Sequence, residues 1–370
     1  MLSQSNLRLV AGAASVLLLP TSPALLLADS FVQTNLVANT PGIAAHTDPN
    51  LVNPWGVSFT ATSPFWISDQ GSGLATLYDG AGNINSLVVS VPGGGPPSGP
   101  TGTVANSAGG TNFAVSPGVA SHFLFDTLNG TIAAWGGGTA ATTEVTTPGA
   151  VYTGLSLASS GGSNYLYAAD STGSIRVFNS SYQPVSLPGG FTDPNAIGGY
   201  VPFNIQLIGS SLYVTYAKLG PGGTALPGGY VDIFDTAGNF VQRLATGGPL
   251  DAPWGITLAP STFGPYGNDL LIGNFGDGEI DAYSTLGVFL GTLDGANGQP
   301  LVNDNLWALD FRTGGTNDNP DALYFTAGID NQQGGLFGEI AFTPEPPPFL
   351  LVALGTIAFA AVRLLRLRQA

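Results

Sequence analysis

The sequence repeats itself six times with a period near 50 residues, and this repetition constrains the fold more than any other feature. Asn53-Pro54-Trp55-Gly56-Val57 recurs as Ala252-Pro253-Trp254-Gly255-Ile256. Residues 201–205 and 305–309 fit the same slot, and residues 100–103 and 152–155 are weaker copies. The aligned positions are Gly56, Gly102, Gly154, Asn204, Gly255 and Ala308, with spacings of 46, 52, 50, 51 and 53 residues. A steady period of this length is typical of one four-stranded blade of a β-propeller.

Every period contains the same succession of short strands and turns. A run rich in aromatic and β-branched residues follows the aligned position, as in residues 65–68, and a polar turn leads to a third strand, as in residues 73–78. A glycine-containing turn precedes the fourth strand, and Ala81-Gly82-Asn83 nearly matches Ala237-Gly238-Asn239. The sequence therefore predicts an all-β domain over residues 29–342, a six-bladed propeller with four strands in each blade.

The last period lacks a fourth strand before a proline-rich tail begins. Phe31-Val32-Gln33 is similar to Phe240-Val241-Gln242, which starts the fourth strand of the fourth period. Closing a ring of blades removes the exposed edges of the sheets. We therefore expect the N-terminal strand to pair into the last blade.

The first 28 residues have the organisation of a secretory signal peptide. Arg8 precedes an apolar run over residues 9–19, and small residues follow it. Cleavage is expected after Ala28 or nearer Ala24. An uncleaved membrane anchor is the alternative, although the apolar run is short for a span.

Residues 343–370 form a tripartite tail. Pro344-Glu345-Pro346 is followed by two further prolines, by a predicted transmembrane segment over residues 349–365, and by three arginines, Arg363, Arg366 and Arg368. This tail resembles the PEP-CTERM sorting signal of Gram-negative bacteria, which an exosortase is thought to cut. The resemblance implies export across the inner membrane, anchoring there before processing, and then a place at the cell surface or outside the cell. An ordinary C-terminal anchor is the alternative.

Composition excludes two classes of function. All 23 acidic residues lie between Asp29 and Glu345, whereas only four basic residues lie there, namely Arg176, Lys218, Arg243 and Arg312. A chain this acidic offers no basic surface for nucleic acid. It also has no cysteine, which excludes disulfides and thiol chemistry.

The turns between the second and third strands carry a recurring pattern, an acid or asparagine followed by a glycine. Asp69…Gly73, Asp126…Gly130 and Asn274…Gly278 match it, and Asp170…Gly173 is one residue short. This pattern resembles that of NHL-type propellers. The whole repeat set resembles a family of uncharacterised exported NHL-like propellers that often end in PEP-CTERM tails. This second resemblance implies fold and export and no particular activity.

Residues with obvious catalytic chemistry are sparse. His46 and His122 fall at unrelated places in the repeat, and the sequence has no nucleophile elbow and no phosphate-binding loop. No catalytic residue is predicted. The best candidate site is the mouth of the propeller channel, where the first strands of the blades begin and side chains from different blades converge.

A metal site is the specific hypothesis for this mouth. The candidate ligands are Asn53, Asn204, Asn305, Asp251 and Asp304, with Asp310 as a further neighbour in sequence. Oxygen ligands of this kind suit Ca²⁺ or Mg²⁺, so Ca²⁺ is the expected cofactor if there is one. Calcium-dependent lactonases, which hold a metal with Glu, Asn and Asp from separate blades, resemble this chain in fold only. This chain has no glutamate at the start of a first strand. Capping of loop backbone by Asn and Asp is the alternative.

Four aromatic residues recur in register, Trp55, Phe203, Trp254 and Trp307. Repetition in register favours packing between blades over a stacking platform for sugars. Trp66 and Trp135 are the tryptophans expected to be exposed.

Three functional hypotheses remain open on this sequence. The first is a non-catalytic binding or structural module of the cell surface or extracellular matrix, with an extracellular polysaccharide as a candidate partner. The second is a Ca²⁺- or Mg²⁺-dependent, lactonase-like hydrolase at the channel mouth. The third is an envelope sensor that binds a small ligand without turnover. A propeller serves all three, so fold alone does not choose between them.

Overall fold

The computed structural model describes residues 30–344 except residue 313, and this part of the chain forms six consecutive antiparallel sheets. The innermost strands are Pro54–Ser58, Pro100–Ala105, Tyr152–Ser160, Tyr200–Ile208, Pro253–Leu258 and Leu306–Phe311. The second strands are Phe65–Asp69, Phe123–Thr127, Ser163–Asp170, Ser211–Leu219, Leu270–Asn274 and Ala322–Ala327.

The outer strands complete each blade. The third strands are Leu74–Tyr78, Thr131–Trp135, Ser174–Asn179, Ala225–Asp235, Ile280–Tyr283 and Leu336–Thr343. The fourth strands are Val89–Ser90, Thr142–Thr146, Pro184–Val185, Phe240–Thr246, Phe289–Thr292 and, in blade six, Ser30–Ala38. The minor elements are strand His46–Thr47, the hairpin Ala114–Ser116 and Val119–Ala120, the 3₁₀ turns Pro221–Gly223 and Gly264–Tyr266, and the short turn Ile329–Gln332. The predicted six-bladed, four-stranded propeller is confirmed, and every aligned repeat position lies on an innermost strand.

The N-terminal strand closes the ring as the sequence predicts. Ser30–Ala38 pairs antiparallel with Leu336–Thr343, so that Ser30 lies opposite Thr343. The side chain of Phe31 is 4% exposed and packs on Phe263, Tyr266 and Phe342, with ring centroids 5.0, 5.8 and 5.6 Å away. Phe263 and Tyr266 belong to blade five, so this strand joins the last blade to its neighbour as well.

The predicted signal peptide and nearly all of the predicted sorting tail lie outside the described residues. Pro344 is described and exposed, directly after the third strand of blade six. Within residues 30–344, apart from residue 313, no helix has the length and apolar character needed to cross a membrane.

Glycines at the aligned position let the innermost strands approach one another around the axis. A Cβ atom on Gly56 would lie 2.6 Å from the carbonyl oxygen of Thr101, and one on Gly102 would lie 2.3 Å from the amide nitrogen of Leu155. A Cβ on Gly255 would lie 2.4 Å from the carbonyl oxygen of Trp307. Each contact joins one blade to the backbone of the next, so no larger side chain fits without displacing a strand.

Polar bonds continue this ring where glycine is replaced. In blade four Asn204 donates from Nδ2 to the carbonyl of Trp254, at 2.9 Å. In blade six the amide of Ala308 donates to Thr326 Oγ1, and that hydroxyl donates to the carbonyl of Trp55 at 2.7 Å. These bonds link blade four to blade five and blade six to blade one.

A β-bulge interrupts the pairing of every innermost strand with its second strand near the aligned position. The register shifts fall at residues 54–57, 100–103, 152–154, 202–204, 253–255 and 306–309. A bulge re-aims the side chains beside it. Simple alternation along the strand therefore does not predict which side chains face the axis here.

In blades two, three and five, the acid or asparagine that ends the second strand hydrogen-bonds the start of the innermost strand. Asp126 Oδ1 accepts from the Gly102 amide at 2.6 Å and from Thr101 Oγ1 at 2.7 Å. Asp170 and Asn274 each accept from a backbone amide in the same way, at 3.1 Å. The paired glycines Gly73, Gly130 and Gly278 have φ of 73°, 75° and 77°, which confirms the predicted turn pattern.

The three arginines of the described chain pair with buried aspartates. Arg176 bonds Asp170, Arg243 bonds Asp232, and Arg312 bonds Asp318, at 2.6, 2.7 and 3.0 Å. Arg312 is fully buried, and it also donates to the carbonyl of Ser63 and lies over the Phe65 ring. Its guanidinium therefore fastens blade six to blade one.

Gly102→Ala should destabilise the protein by about 1–3 kcal/mol, because the new methyl group would overlap backbone that cannot rotate away. The measurement is the free energy of unfolding in urea. Gly198→Ala is the matched control, since a Cβ there meets nothing within 4 Å. Equal stability of the two variants would contradict the close approach of the strands.

Phe31→Ala should cost about 3–5 kcal/mol, the usual range for removing a buried phenylalanine side chain. Val32, its neighbour on the same strand, is 47% exposed, and Val32→Ala should change stability by less than about 0.5 kcal/mol. Chemical denaturation of both variants measures the difference. If Phe31→Ala were as mild as Val32→Ala, the closing strand would not contribute to the stability of the ring.

Asp126→Asn should change the pH dependence of stability. Burial raises the pKa of Asp126 from 3.8 to about 7, so folding takes up a proton between those values and stability falls as the pH rises through that window. Asparagine mimics the neutral acid. The variant should match the parent near pH 4 and exceed its stability near pH 8, by up to about 4 kcal/mol at roughly 1.4 kcal/mol per pH unit. The measurement is the free energy of unfolding of the parent and the variant at both pH values, and Asp304→Asn, at an exposed acid, is the control. An equal difference between Asp126→Asn and the parent at pH 4 and pH 8 would contradict the prediction.

Candidate functional site

Aromatic side chains from four blades meet at the end of the channel where the innermost strands begin. Trp307 lies at the centre: its ring centroid is 3.5 Å from that of Trp55, 4.3 Å from Phe275, 5.8 Å from Trp254 and 5.9 Å from Phe203. All five are buried. The recurring aromatics therefore pack together between blades, as predicted, and they close this end of the axis.

Hydrogen bonds hold two of these indoles in place. Trp307 Nε1 donates to Asn53 Oδ1 at 3.0 Å, and Trp254 Nε1 donates to the carbonyl of Thr153 at 2.9 Å. Trp55 Nε1 is buried with no partner among the described residues. The cluster thus combines a large buried apolar area with fixed ring orientations.

The prediction of two exposed tryptophans is wrong for Trp66. Its side chain is only 2% exposed and stacks on Phe123, with ring centroids 4.2 Å apart, and Trp135 covers it at 4.6 Å. Trp135 is partly exposed, and its Nε1 donates to the carbonyl of Gly138. Both belong to the contact between blades one and two.

Asn53 and Asn305 adopt a backbone conformation that few residues other than glycine and asparagine tolerate. Both occupy the position three residues before the aligned one and have φ of 44° and 54°, in the left-handed region that asparagine tolerates. The amide of Asn53 is also fully bonded, because it donates to Gln70 and Gln332 and accepts from Trp307.

The other candidate ligands differ in their surroundings. Asp304 is exposed, and the carboxyl of Asp251 packs against Gly276. Asn204 lies inside the channel. In the described residues no group of three or more His, Asp or Glu side chains is close enough to hold a metal. The metal assignment of these five residues stays a prediction.

The opposite end of the channel holds an open cavity with both polar and apolar residues in its wall. Two residues beyond the aligned position, the innermost strands carry Ser58, Val104, Ser156, Gln206, Thr257 and Asp310. Five of the six, all except Thr257, line one cavity of about 330 Å³ at the ends of these strands. Ser58 Oγ lies 3.0 Å from Thr103 Oγ1 in its wall. These five residues, here called the mouth ring, bring hydroxyl, amide and carboxyl side chains to the wall of this cavity, where Ser58 and Ser156 are themselves buried.

A narrower cavity of about 20 Å³, here called the lumen, lies further along the axis. Gln206 and Asp310 line both cavities, and Asn204 and Trp254 line the lumen. Among the described residues that line the two cavities, Asp310 is the one with an acidic or basic side chain. Burial raises the pKa of Asp310 to about 7, and the amide of Phe311 and the charge of Arg312 offset only part of that rise.

The sequence analysis missed Gln206 and noted Asp310 only as a neighbour of other acids. The signal was present, because the same repeat alignment places both residues at one position. The predicted ligands all lie at or near the starts of the innermost strands, at the other end of the channel. The bulges next to the aligned position break the simple alternation of the strand, so the sequence pattern does not predict which later residues face the axis.

Comparison with known proteins places the chain in a family. No family model matches the sequence. "Uncharacterized protein R648" of Acanthamoeba polyphaga mimivirus is 34% identical over 327 residues, covering 82% of this chain and 78% of that protein. "Uncharacterized protein L690" of the same virus is 31% identical over 331 residues, covering 82% of this chain and 84% of that protein.

Solved structures share the fold at low identity. A streptogramin B lyase superposes with a TM-score of 0.51 at 12% identity, covering 86% of this chain and 99% of the lyase. The soluble aldose sugar dehydrogenase of Escherichia coli, in its apo form, superposes with a TM-score of 0.51 at 13% identity, covering 84% of this chain and 99% of the dehydrogenase. These likenesses concern the fold alone. The chain belongs to the family of the mimivirus proteins R648 and L690, and its fold is that of a six-bladed β-propeller.

Proposed function

We propose that this chain is an exported propeller of the cell surface or extracellular matrix that acts as a non-catalytic binding and structural module. The observation that carries the proposal is the mouth ring, in which equivalent positions of five blades bring hydroxyl, amide and carboxyl side chains to one open cavity. Hydroxyl and amide side chains of this kind exchange hydrogen bonds with the hydroxyl groups of a sugar. An extracellular polysaccharide is therefore the partner class to test first.

The geometry of the two chain ends supports the export part of the proposal. The predicted cleavage point after Ala28 lies two residues before Ser30, and the predicted sorting motif begins at Pro344, directly after Thr343. Ser30 and Thr343 are paired in the closing sheet. Processing at both points would thus leave every strand of the propeller intact. An exosortase-type protease is the partner proposed for the C-terminal step, with the inner membrane holding the tail until then.

A Ca²⁺- or Mg²⁺-dependent hydrolase of lactonase type is the second candidate. The observation that favours it is that Asn204, Gln206 and Asp310 bring oxygen ligands to one channel. The two enzymes that share the fold, the lyase and the sugar dehydrogenase, are compatible with this candidate and do not identify a reaction. Lactone and ester hydrolysis assayed with Ca²⁺, Mg²⁺ or EDTA separates the candidates: turnover that EDTA abolishes would replace the non-catalytic proposal.

The localisation test uses the full chain in a Gram-negative host that encodes an exosortase. Cells are fractionated into cytoplasm, inner membrane, cell surface and extracellular polysaccharide. We expect the parent chain at the surface and in the polysaccharide fraction. The triple variant Pro344→Ala, Glu345→Ala, Pro346→Ala should stay in the inner membrane, because the motif is lost while the apolar segment remains.

Pro348→Ala is the matched control, since it changes a proline of the tail outside the motif, and it should be sorted like the parent. A parent chain that stays in the cytoplasm would contradict export. Equal sorting of the triple variant would contradict an exosortase-type step.

A further inference from the structure

Blade three lacks a hydrogen bond that three other blades share. In blades one, two and five, the carbonyl of the glycine before the third strand accepts from an amide that follows the fourth strand in sequence. The bonds run from Val91 to Gly73 at 3.1 Å, from Thr147 to Gly130 at 2.8 Å and from Asn303 to Gly278 at 2.9 Å. The equivalent carbonyl, that of Gly173, accepts no hydrogen bond within the described part of the chain.

The space beside Gly173 is open as well. A Cβ atom on Gly73, Gly130 or Gly278 would lie 2.4, 2.5 and 2.5 Å from backbone of the segment that returns past the fourth strand. A Cβ atom on Gly173 would meet nothing within 4 Å. The segment that covers this turn in the other three blades is therefore missing from blade three.

The third strand of blade three has an unpaired outer edge. Its fourth strand, Pro184–Val185, pairs only with Val177 and Phe178, whereas in blade two the pairing continues along the third strand from Thr131 to Ala134. The amide of Asn179 donates toward the fourth strand, to the carbonyl of Gln183 at 2.9 Å. Bonding direction alternates along an antiparallel strand, so Ile175 directs its N–H and C=O to the same side, beyond the end of the short fourth strand.

The gap arises because the chain leaves blade three early. Four residues after Val185, the amide of Gly189 donates to the carbonyl of Ala237 at 3.0 Å, and the amide of Phe191 donates to the carbonyl of Gly238 at 2.9 Å. Both acceptors belong to the outer hairpin of blade four. The residues that would extend the fourth strand of blade three are thus bound to its neighbour.

A cavity of about 670 Å³, here called the blade-three cleft, occupies this gap. Residues 144–148 of blade two form one wall, and residues 174–178 and 182–186 of blade three form the others. Its volume lies in the range of sites that bind ligands. Glu144 Oε1 is buried in the cleft wall with no partner among the described residues, so it can accept from a hydroxyl or amide of a ligand.

Arg176 supplies positive charge to the blade-three cleft. Its side chain is 40% exposed, and its Nε donates to Asp170 at 2.6 Å. No hydrogen bond among the described residues uses its two Nη groups. Arg243 and Arg312, in contrast, donate through their Nη groups to other parts of the chain.

We propose that the blade-three cleft binds an extended, acidic peptide segment of a partner protein, which completes the fourth strand of this blade. The segment bonds the backbone of Ile175 and the carbonyl of Gly173, and its acidic side chain pairs with Arg176. Main-chain bonds of this kind give affinity, and alternate side chains give specificity. Blade six shows the same principle within the chain, because the distant strand Ser30–Ala38 completes it.

This interaction does not depend on the mouth ring or on export. The cleft lies at the outer strands of the blades, whereas the mouth ring lies on the innermost strands. A partner held in the cleft leaves the channel accessible to a polysaccharide or a substrate.

The probe is the blocked, fluorescently labelled hexapeptide of residues 142–147, Thr-Thr-Glu-Val-Thr-Thr. In blade two this segment pairs Val145 with Ile132 and donates from Thr147 to Gly130, the positions equivalent to Ile175 and Gly173. Glu144 falls at the bulge beside Ala133, the position equivalent to Arg176. The peptide therefore carries every group that the proposal requires.

Fluorescence anisotropy with the purified full chain should show saturable binding of one peptide per protein. Amide hydrogen exchange locates the peptide. At a peptide concentration of about ten times the Kd, the Ile175 amide should exchange about tenfold more slowly. The Ile132 amide, in the third strand of blade two, should be unaffected.

Changes in the peptide test the contacts without altering the fold of the protein. Glu144→Gln in the peptide should weaken binding about two- to fivefold, because the pair with Arg176 is partly exposed. Methylation of the Thr147 amide nitrogen should weaken it about tenfold or more, because it removes the donor to Gly173 and places a methyl group between the strands. Absence of saturable binding would overturn the proposal. So would binding without protection of Ile175, or equal affinity of the methylated and parent peptides.

Discussion

The close approach of the innermost strands is the constraint on which the rest of the structure depends. At Gly56, Gly102 and Gly255 the backbone of one blade contacts the backbone of the next at a distance that leaves no room for a Cβ atom. Six blades held this tightly leave a narrow axis. The aromatic cluster around Trp307 then fills one end, and cavities of about 20 and 330 Å³ lie along the rest of the channel.

Closure of the ring turns these local contacts into one domain. The N-terminal strand completes the last blade, and Phe31 extends the contact into blade five. Buried Arg312 joins blade six to its other neighbour, blade one, through contacts with Ser63 and Phe65. The two ends of the propeller thus meet in one sheet, and the segments predicted to direct export and sorting begin just outside it.

Repetition made the fold predictable. The aligned glycines marked the innermost strands, and the likeness of Phe31-Val32-Gln33 to Phe240-Val241-Gln242 identified the closing strand. Both inferences rest on local pattern, which a repeat fold preserves from blade to blade. The packing of Trp66 could not be read this way, because its partners Phe123 and Trp135 belong to the neighbouring blade.

The candidate site was harder to predict, for two physical reasons. Asn53 and Asn305 look like ligands in sequence, yet each occupies a left-handed backbone position that favours asparagine for its own sake. The repeat alignment places Gln206 and Asp310 at one position, but bulges in the innermost strands change which residues face the axis, so only the structure shows that both line the channel. The chemistry of the channel follows from backbone geometry that a periodic pattern does not encode.

Native-state hydrogen exchange tests the central claim most directly. If the contacts between innermost strands hold the ring together, the amides of all six innermost strands should exchange through one cooperative opening, with the same free energy and the same denaturant dependence. The fourth strands should exchange earlier. Blade-by-blade exchange, with a different free energy for each innermost strand, would contradict the account and describe six weakly coupled sheets instead.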